Sequence, residues 1–172
     1  MVRCKCMAKS PKKEVLGVDF GGMILEWAKD EKDVTLSRRN VQDAFESLRQ
    51  LTDRRFGENV FLISKTEQEK KYKILAWLLT KIFYKRTCIS PKNIYFCWER
   101  KEKADICKKL GITHFIDDRL ENLGYLSNVG VKNLYFFQGR KDEIQKNIRF
   151  IPMVQLVNSW SEILSKLLPE VD

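Results

Sequence analysis

The chain has 172 residues, 44% hydrophobic and 32% charged, with a net charge of +9, a make-up ordinary for a globular protein with room for one real core. No apolar run approaches the roughly 20 residues that span a bilayer, and the basic opening Met1-Val2-Arg3-Cys4-Lys5-Cys6 has no apolar segment behind it, as a secretory signal would. Five cysteines at irregular spacings argue against a disulfide framework and for a reducing compartment, here the cytoplasm, while the positive balance favours anionic partners.

Residues 1–13 are expected as a basic tail and 14–172 as a single domain. The first strand is predicted over 14–19, followed by Gly21-Gly22 and a hairpin-like flap whose charged tip is Lys29-Asp30-Glu31-Lys32-Asp33. Asn40 is placed to cap a helix running to about Arg54, with Val41, Ala44, Phe45, Leu48 and Leu51 on one face. A second buried strand is expected over 59–64, and Thr66 starts a long helix carrying Ile74, Trp77, Leu78, Ile82 and Phe83. Ser90-Pro91 marks a turn before a third strand, 93–98. Lys101 to Leu110 reads as a helix stopped by Gly111. Then come a strand over 113–117, a short helix over 120–126, a fifth strand over 132–137 and a last helix capped by Ser159. Strands alternating with helices predict an α/β fold, a three-layer Rossmann-like architecture with a mainly parallel five-stranded sheet and helices on both faces.

Two strands end on acids. Val15-Leu16-Gly17-Val18-Asp19 is followed by Gly21-Gly22, and His114-Phe115-Ile116 by Asp117-Asp118. An apolar run that stops on an acid reads as a buried parallel strand delivering a carboxylate to the carboxyl edge of the sheet, where open α/β sheets bind ligands. Clustered carboxylates repel unless a cation or a shared proton relieves them, and hard oxygen ligands favour Mg²⁺. The expectation is metal-assisted chemistry on a phosphate. His114, the only histidine, sits within an apolar strand and reads as structural.

Four pieces then stand in order: Asp19 after the first strand, Ser64 after the second, Lys101 or Lys103 before the fourth, and Asp117-Asp118 after it. This ordered set resembles the haloacid dehalogenase superfamily, over roughly residues 14–168. The resemblance implies that Asp19 attacks phosphorus to form an aspartyl-phosphate. It also implies that Mg²⁺ is held by Asp19 and Asp118 with Asp117 and the carbonyl of Gly21. Lys103 is the preferred lysine, Lys101 the reserve; an ammonium about 4 Å from a phosphoryl oxygen contributes on the order of 4 kcal/mol at an effective dielectric of about 20. Ser64 would give the transferring group a hydroxyl and an N–H.

One position departs from the pattern. Phosphatases of that superfamily usually carry a second aspartate two residues after the nucleophile as general acid and base, and here that residue is Gly21. Loss of such a group costs about 10²- to 10⁴-fold. Glu26, Asp30 and Glu67 are candidate replacements that spacing does not separate. The intervals between Asp19, Ser64 and Lys103 leave no room for a substantial cap domain, and in that superfamily an open, capless site goes with large substrates. The expected function is a Mg²⁺-dependent phosphohydrolase acting on a phosphorylated small molecule or a nucleic-acid end. The alternative is a catalytically weak or inactive relative that binds an anionic partner such as nucleic acid.

Overall fold

A computed structural model of the chain describes residues 13–26 and 37–168. Six short apolar strands, Leu16–Val18 (β1), Val60–Lys65 (β2), Ile94–Cys97 (β3), His114–Asp117 (β4), Asn133–Phe137 (β5) and Gln155–Val157 (β6), make one sheet in the order β3-β2-β1-β4-β5-β6. Every neighbouring pair is parallel. The helices are Ala44–Leu51 (α1), Gln68–Thr80 (α2), Phe83–Thr87 (α3), Arg100–Leu110 (α4), Leu120–Asn128 (α5), Lys141–Asn147 (α6) and Trp160–Leu167 (α7). None of them is long and apolar enough to cross a membrane.

Alternation along the strands sends successive side chains to opposite faces. Leu16, Val18, Leu62, Ile116, Tyr135 and Phe137 pack on one side against Phe45, Leu48, Trp77, Phe83 and Trp160 from α1, α2, α3 and α7. Ile63, Phe115, Leu134 and Phe136 pack on the other against Ala104 and Cys107 of α4 and Leu120 and Leu123 of α5. The result is three layers. Two indole N–H groups tie the loop after β1 to the first of these cores, Trp160 donating to the Met23 carbonyl at 2.9 Å and Trp77 to the Arg38 carbonyl at 3.1 Å.

The structure corrects several expectations. The sheet has six strands, not five: β6 is a three-residue edge strand behind the 3₁₀ segment Ile148–Met153 with Pro152 inside it, too short and interrupted to announce itself by alternation. Asn40 does not cap α1; Asp43 holds the N-cap position in a left-handed conformation (φ 60°), and α1 passes into a π-helical turn over Thr52–Phe56. The long helix begins after Glu67 and breaks at Ile82, whose φ is 56°. Ser159 does cap α7, accepting from the Glu162 N–H at 3.1 Å. The N-terminal tail through residue 12, with Cys4 and Cys6, and the flap tip with Trp27 and Asp30 lie outside the described residues. Among those described, the segments joining β1 to β2 and β2 to β3 carry α1, α2 and α3, which pack onto the sheet as layer rather than cap.

Gly17 lets β1 sit flush against its neighbours: a Cβ there would lie 2.4 Å from the Phe115 ring. Gly17→Ala should therefore lower stability by about 1–3 kcal/mol through overpacking, read as a reduced urea midpoint at unchanged slope. An unaltered midpoint would show that the ring has room to move.

Candidate active site

The chain runs outward from β1 through β2 to β3, then crosses back to β4 and on to β6. Strand order therefore reverses between β1 and β4, and in open parallel sheets the crevice beyond the carboxyl ends at such a switch point is where ligands bind. Val18 pairs with Ile116, and the Asp19 N–H donates to the Ile116 carbonyl at 3.0 Å. Asp19 and Asp117-Asp118, ninety-odd residues apart in sequence, thus leave adjacent strands at the same edge. One carboxyl oxygen from each of the three lies within 4.8 Å of the others, and all three residues are buried.

Lys103 locks this cluster. Glu99 and Glu102 form a capping box that starts α4, and the helix then turns Lys103, Ala104 and Cys107 toward the sheet. The Lys103 Nζ, wholly buried, donates to Asp19 Oδ1 at 2.6 Å and to Asp117 Oδ2 at 2.9 Å and lies 5.4 Å from the Phe115 ring centroid. Lys101 is exposed on the same helix, so geometry separates the two candidates. Asp117 has further donors: the Arg119 N–H at 2.9 Å and Asn122 Nδ2 at 2.9 Å.

A cavity of about 300 Å³ opens over the cluster, lined by Asp19, Phe20, Gly21, Leu25, Arg38, Ser64, Lys65, Thr66, Lys70, Ile74, Arg100, Asp118, Arg119 and Asn122. Ser64, within β2 rather than after it, and Gly21 both line this cavity. Asp118 faces this space, whereas Asp117 is fully buried behind it. Of the proposed replacement acids, Glu26 is half-exposed beside Arg39 and Glu67 is exposed beside Lys70; neither lines the cavity. His114 begins β4 at the far end of the sheet, with Nδ1 2.8 Å from Thr113 Oγ1 and its ring edge-on to Phe56, out of reach of the acids. Sequence reasoning missed Asn122, although it falls four residues after Asp118 at the start of α5. It also missed the gathering of Arg38, Lys65, Lys70, Arg100 and Arg119, drawn from separate elements with no shared motif.

The charges are unevenly matched. Burial pushes the Asp19 carboxyl up from its ordinary 3.8 to about 6; Lys103 opposes that rise and Asp117 adds to it. Burial alone would lower Lys103, but Asp117 and then Asp19 outweigh it and hold the ammonium charged. One ammonium is shared by two carboxylates. An acid raised in the fold contributes stability that is fully present below its unfolded value and lost as pH rises through the folded one. With a chelator present, Asp19→Asn should match the wild type near pH 3.5 and exceed it at pH 7 by on the order of 3 kcal/mol. Denaturant titrations at the two pH values read this. The same difference at both would contradict a strained carboxylate.

No family model and no curated protein matches the sequence. Solved structures match in fold. The D,D-heptose 1,7-bisphosphate phosphatase of B. bronchiseptica, complexed with magnesium and phosphate, is 11% identical with a TM-score of 0.65, the match covering 92% of this chain and 99% of that one. A haloacid dehalogenase-like hydrolase from Burkholderia xenovorans is 14% identical with a TM-score of 0.55, over 77% of this chain and 61% of that one. The HAD domain of the effector Lem4 from Legionella pneumophila is 15% identical with a TM-score of 0.53, over 93% and 96%. At such identities the likeness is one of fold: the chain has the haloacid dehalogenase-like form of the Rossmann α/β fold, and its acid cluster lies at the ligand edge of that fold.

Proposed function

We propose that the chain is a Mg²⁺-dependent phosphohydrolase working through an aspartyl-phosphate at Asp19. The observation that carries this is the meeting of Asp19 and Asp117 on the buried Lys103, with Asp118 beside them, beneath a cavity whose lining includes five cations. Three buried carboxylates face the one buried ammonium among the described residues, and their donors are all hard oxygens, a set that fits Mg²⁺. Asp19 and Asp118 would hold the ion with the Gly21 carbonyl; Asp117, already accepting from Lys103, Arg119 and Asn122, has the least to offer it. When bound, the metal neutralises the cluster and polarises the phosphoryl oxygens.

The protein's own groups supply the rest. Lys103 fixes the Asp19 carboxylate in one orientation, which converts an encounter into an aligned attack. An Asp19 oxygen bonds to phosphorus as the ester P–O bond breaks, and water then attacks the acyl phosphate, releasing inorganic phosphate and restoring the carboxylate. Ser64 on β2 lines the cavity and stabilises charge on the transferring group, while Lys103, buried behind Asp19, balances the acid cluster. Arg100 and Arg119, paired with Glu121 and Glu143, hold a positive wall against the incoming anion. Among the described residues, no acid besides Asp19 and Asp118 lines the cavity, so these residues supply no further acid to protonate the leaving oxygen.

Two consequences are measurable with para-nitrophenyl phosphate. Its turnover should require Mg²⁺ and vanish in Asp19→Asn, while a simple alkyl phosphate reacts at least about 10²-fold more slowly for want of a general acid. Metal-independent turnover, or an active Asp19→Asn, would overturn the mechanism. Equal rates on the two esters would mean that an acid acts after all.

A further inference from the structure

Beside the acid cavity, and sharing Thr66 with it, lies a second groove of about 160 Å³ that includes Lys71, Phe96 and Trp98. Trp98 directly follows β3 and is 61% exposed. Its backbone is held: the Trp98 N–H donates to Glu102 Oε2 at 2.7 Å, beside the capping box that starts α4. Lys71 Nζ lies 5.6 Å from the centroid of the Phe96 ring. An exposed indole on an anchored backbone, flanked by an ammonium, is a platform on which a base stacks while its phosphate is neutralised.

The register places this platform relative to the chemistry. Val18 pairs with Leu62 and Leu62 with Ile94, so Trp98 stands two strands across from Asp19 and three residues further along. At about 4.8 Å per strand and about 3.3 Å per residue, the backbone positions are roughly 14 Å apart. Cations bridge that interval. Lys65 at the end of β2 and Lys70 in the first turn of α2 line the acid cavity, and Lys71 lines the groove. The Glu67 carboxylate sits 3.9 Å from Lys70, both side chains reaching solvent, a contact weak enough to yield to a phosphate. An interval of that size suits a strand longer than one nucleotide, with its terminal phosphate at Asp19 and an inner base on Trp98.

Resting on the hydrolase reading above, we propose that the substrate is the phosphorylated end of a single-stranded nucleic acid. The terminal phosphate sits at Asp19, the next backbone phosphates run along Lys65, Lys70 and Lys71, and an inner base stacks on Trp98. The net charge of +9 suits a polyanionic strand.

The test uses the full chain as Asp19→Asn, which cannot consume the ligand, with a fluorescent oligothymidylate of about 12 residues, a length within the usual single-strand site sizes. The probe carries a terminal phosphate at the 5′ or the 3′ end, and binding is read by anisotropy. Adding Trp98→Ala should weaken binding about tenfold, while Trp98→Phe keeps most of it. Lys65→Ala with Lys71→Ala should flatten the salt dependence by about 1.4 in slope. Equal affinity with and without the Trp98 indole, or thymidine monophosphate binding as tightly as the strand, overturns the proposal. Wild-type turnover of para-nitrophenyl phosphate is measured in parallel. Turnover with Trp98-independent strand binding sinks the strand site alone; Trp98-dependent binding without turnover supports the strand site and sinks the hydrolase.

Discussion

A lysine with no access to water must be paired or it will not stay charged, and in this fold the pairing does more than satisfy Lys103. Its ammonium meets Asp19 from β1 and Asp117 from β4, the two strands between which the sheet reverses direction. Removing the shared ammonium would strand both carboxylates in a buried site, a loss that typically costs about 3–5 kcal/mol. The interaction therefore fixes the relative position of two strand ends and of the helix α4 that carries the lysine. What holds the crevice together is also what presents Asp19.

Around that centre the electrostatics are layered. Three carboxylates are buried, and one of them is pushed toward the neutral form by its surroundings. Outside them stand Arg38, Lys65, Lys70, Arg100 and Arg119. An acidic centre within a basic rim is an arrangement that suits a small cation inside and an anion above it, since carboxylates so gathered repel until a cation or a shared proton relieves them. Gly21 brings no acidic side chain to the cavity two residues past Asp19.

Much of this was legible in the sequence, for identifiable reasons. Val15-Leu16-Gly17-Val18-Asp19 and His114-Phe115-Ile116-Asp117-Asp118 combine burial and charge abruptly, and that discontinuity survives any uncertainty in element boundaries. The layered α/β order followed from helices and strands alternating. Features set by tertiary contacts were hidden. Ile82 takes a left-handed φ of 56°, a conformation its own branched side chain disfavours, so no local rule would break the helix there. The strand Gln155–Val157 forms through pairing with β5 rather than through any pattern of its own. Asn122 reads as an ordinary helix polar until Asp117 is known to lie against it. The choice between Lys101 and Lys103 required the helical phase of α4, which a start point wrong by two residues would have reversed.

The most direct measurement is calorimetric titration of Mg²⁺ into the metal-free chain and into Asp118→Asn. The wild type should show a single saturable site that is lost, or weakened at least about tenfold, in the variant. Absence of binding in the wild type, or identical binding in the two proteins, would mean that the acids at this sheet edge gather for some purpose other than gripping a cation.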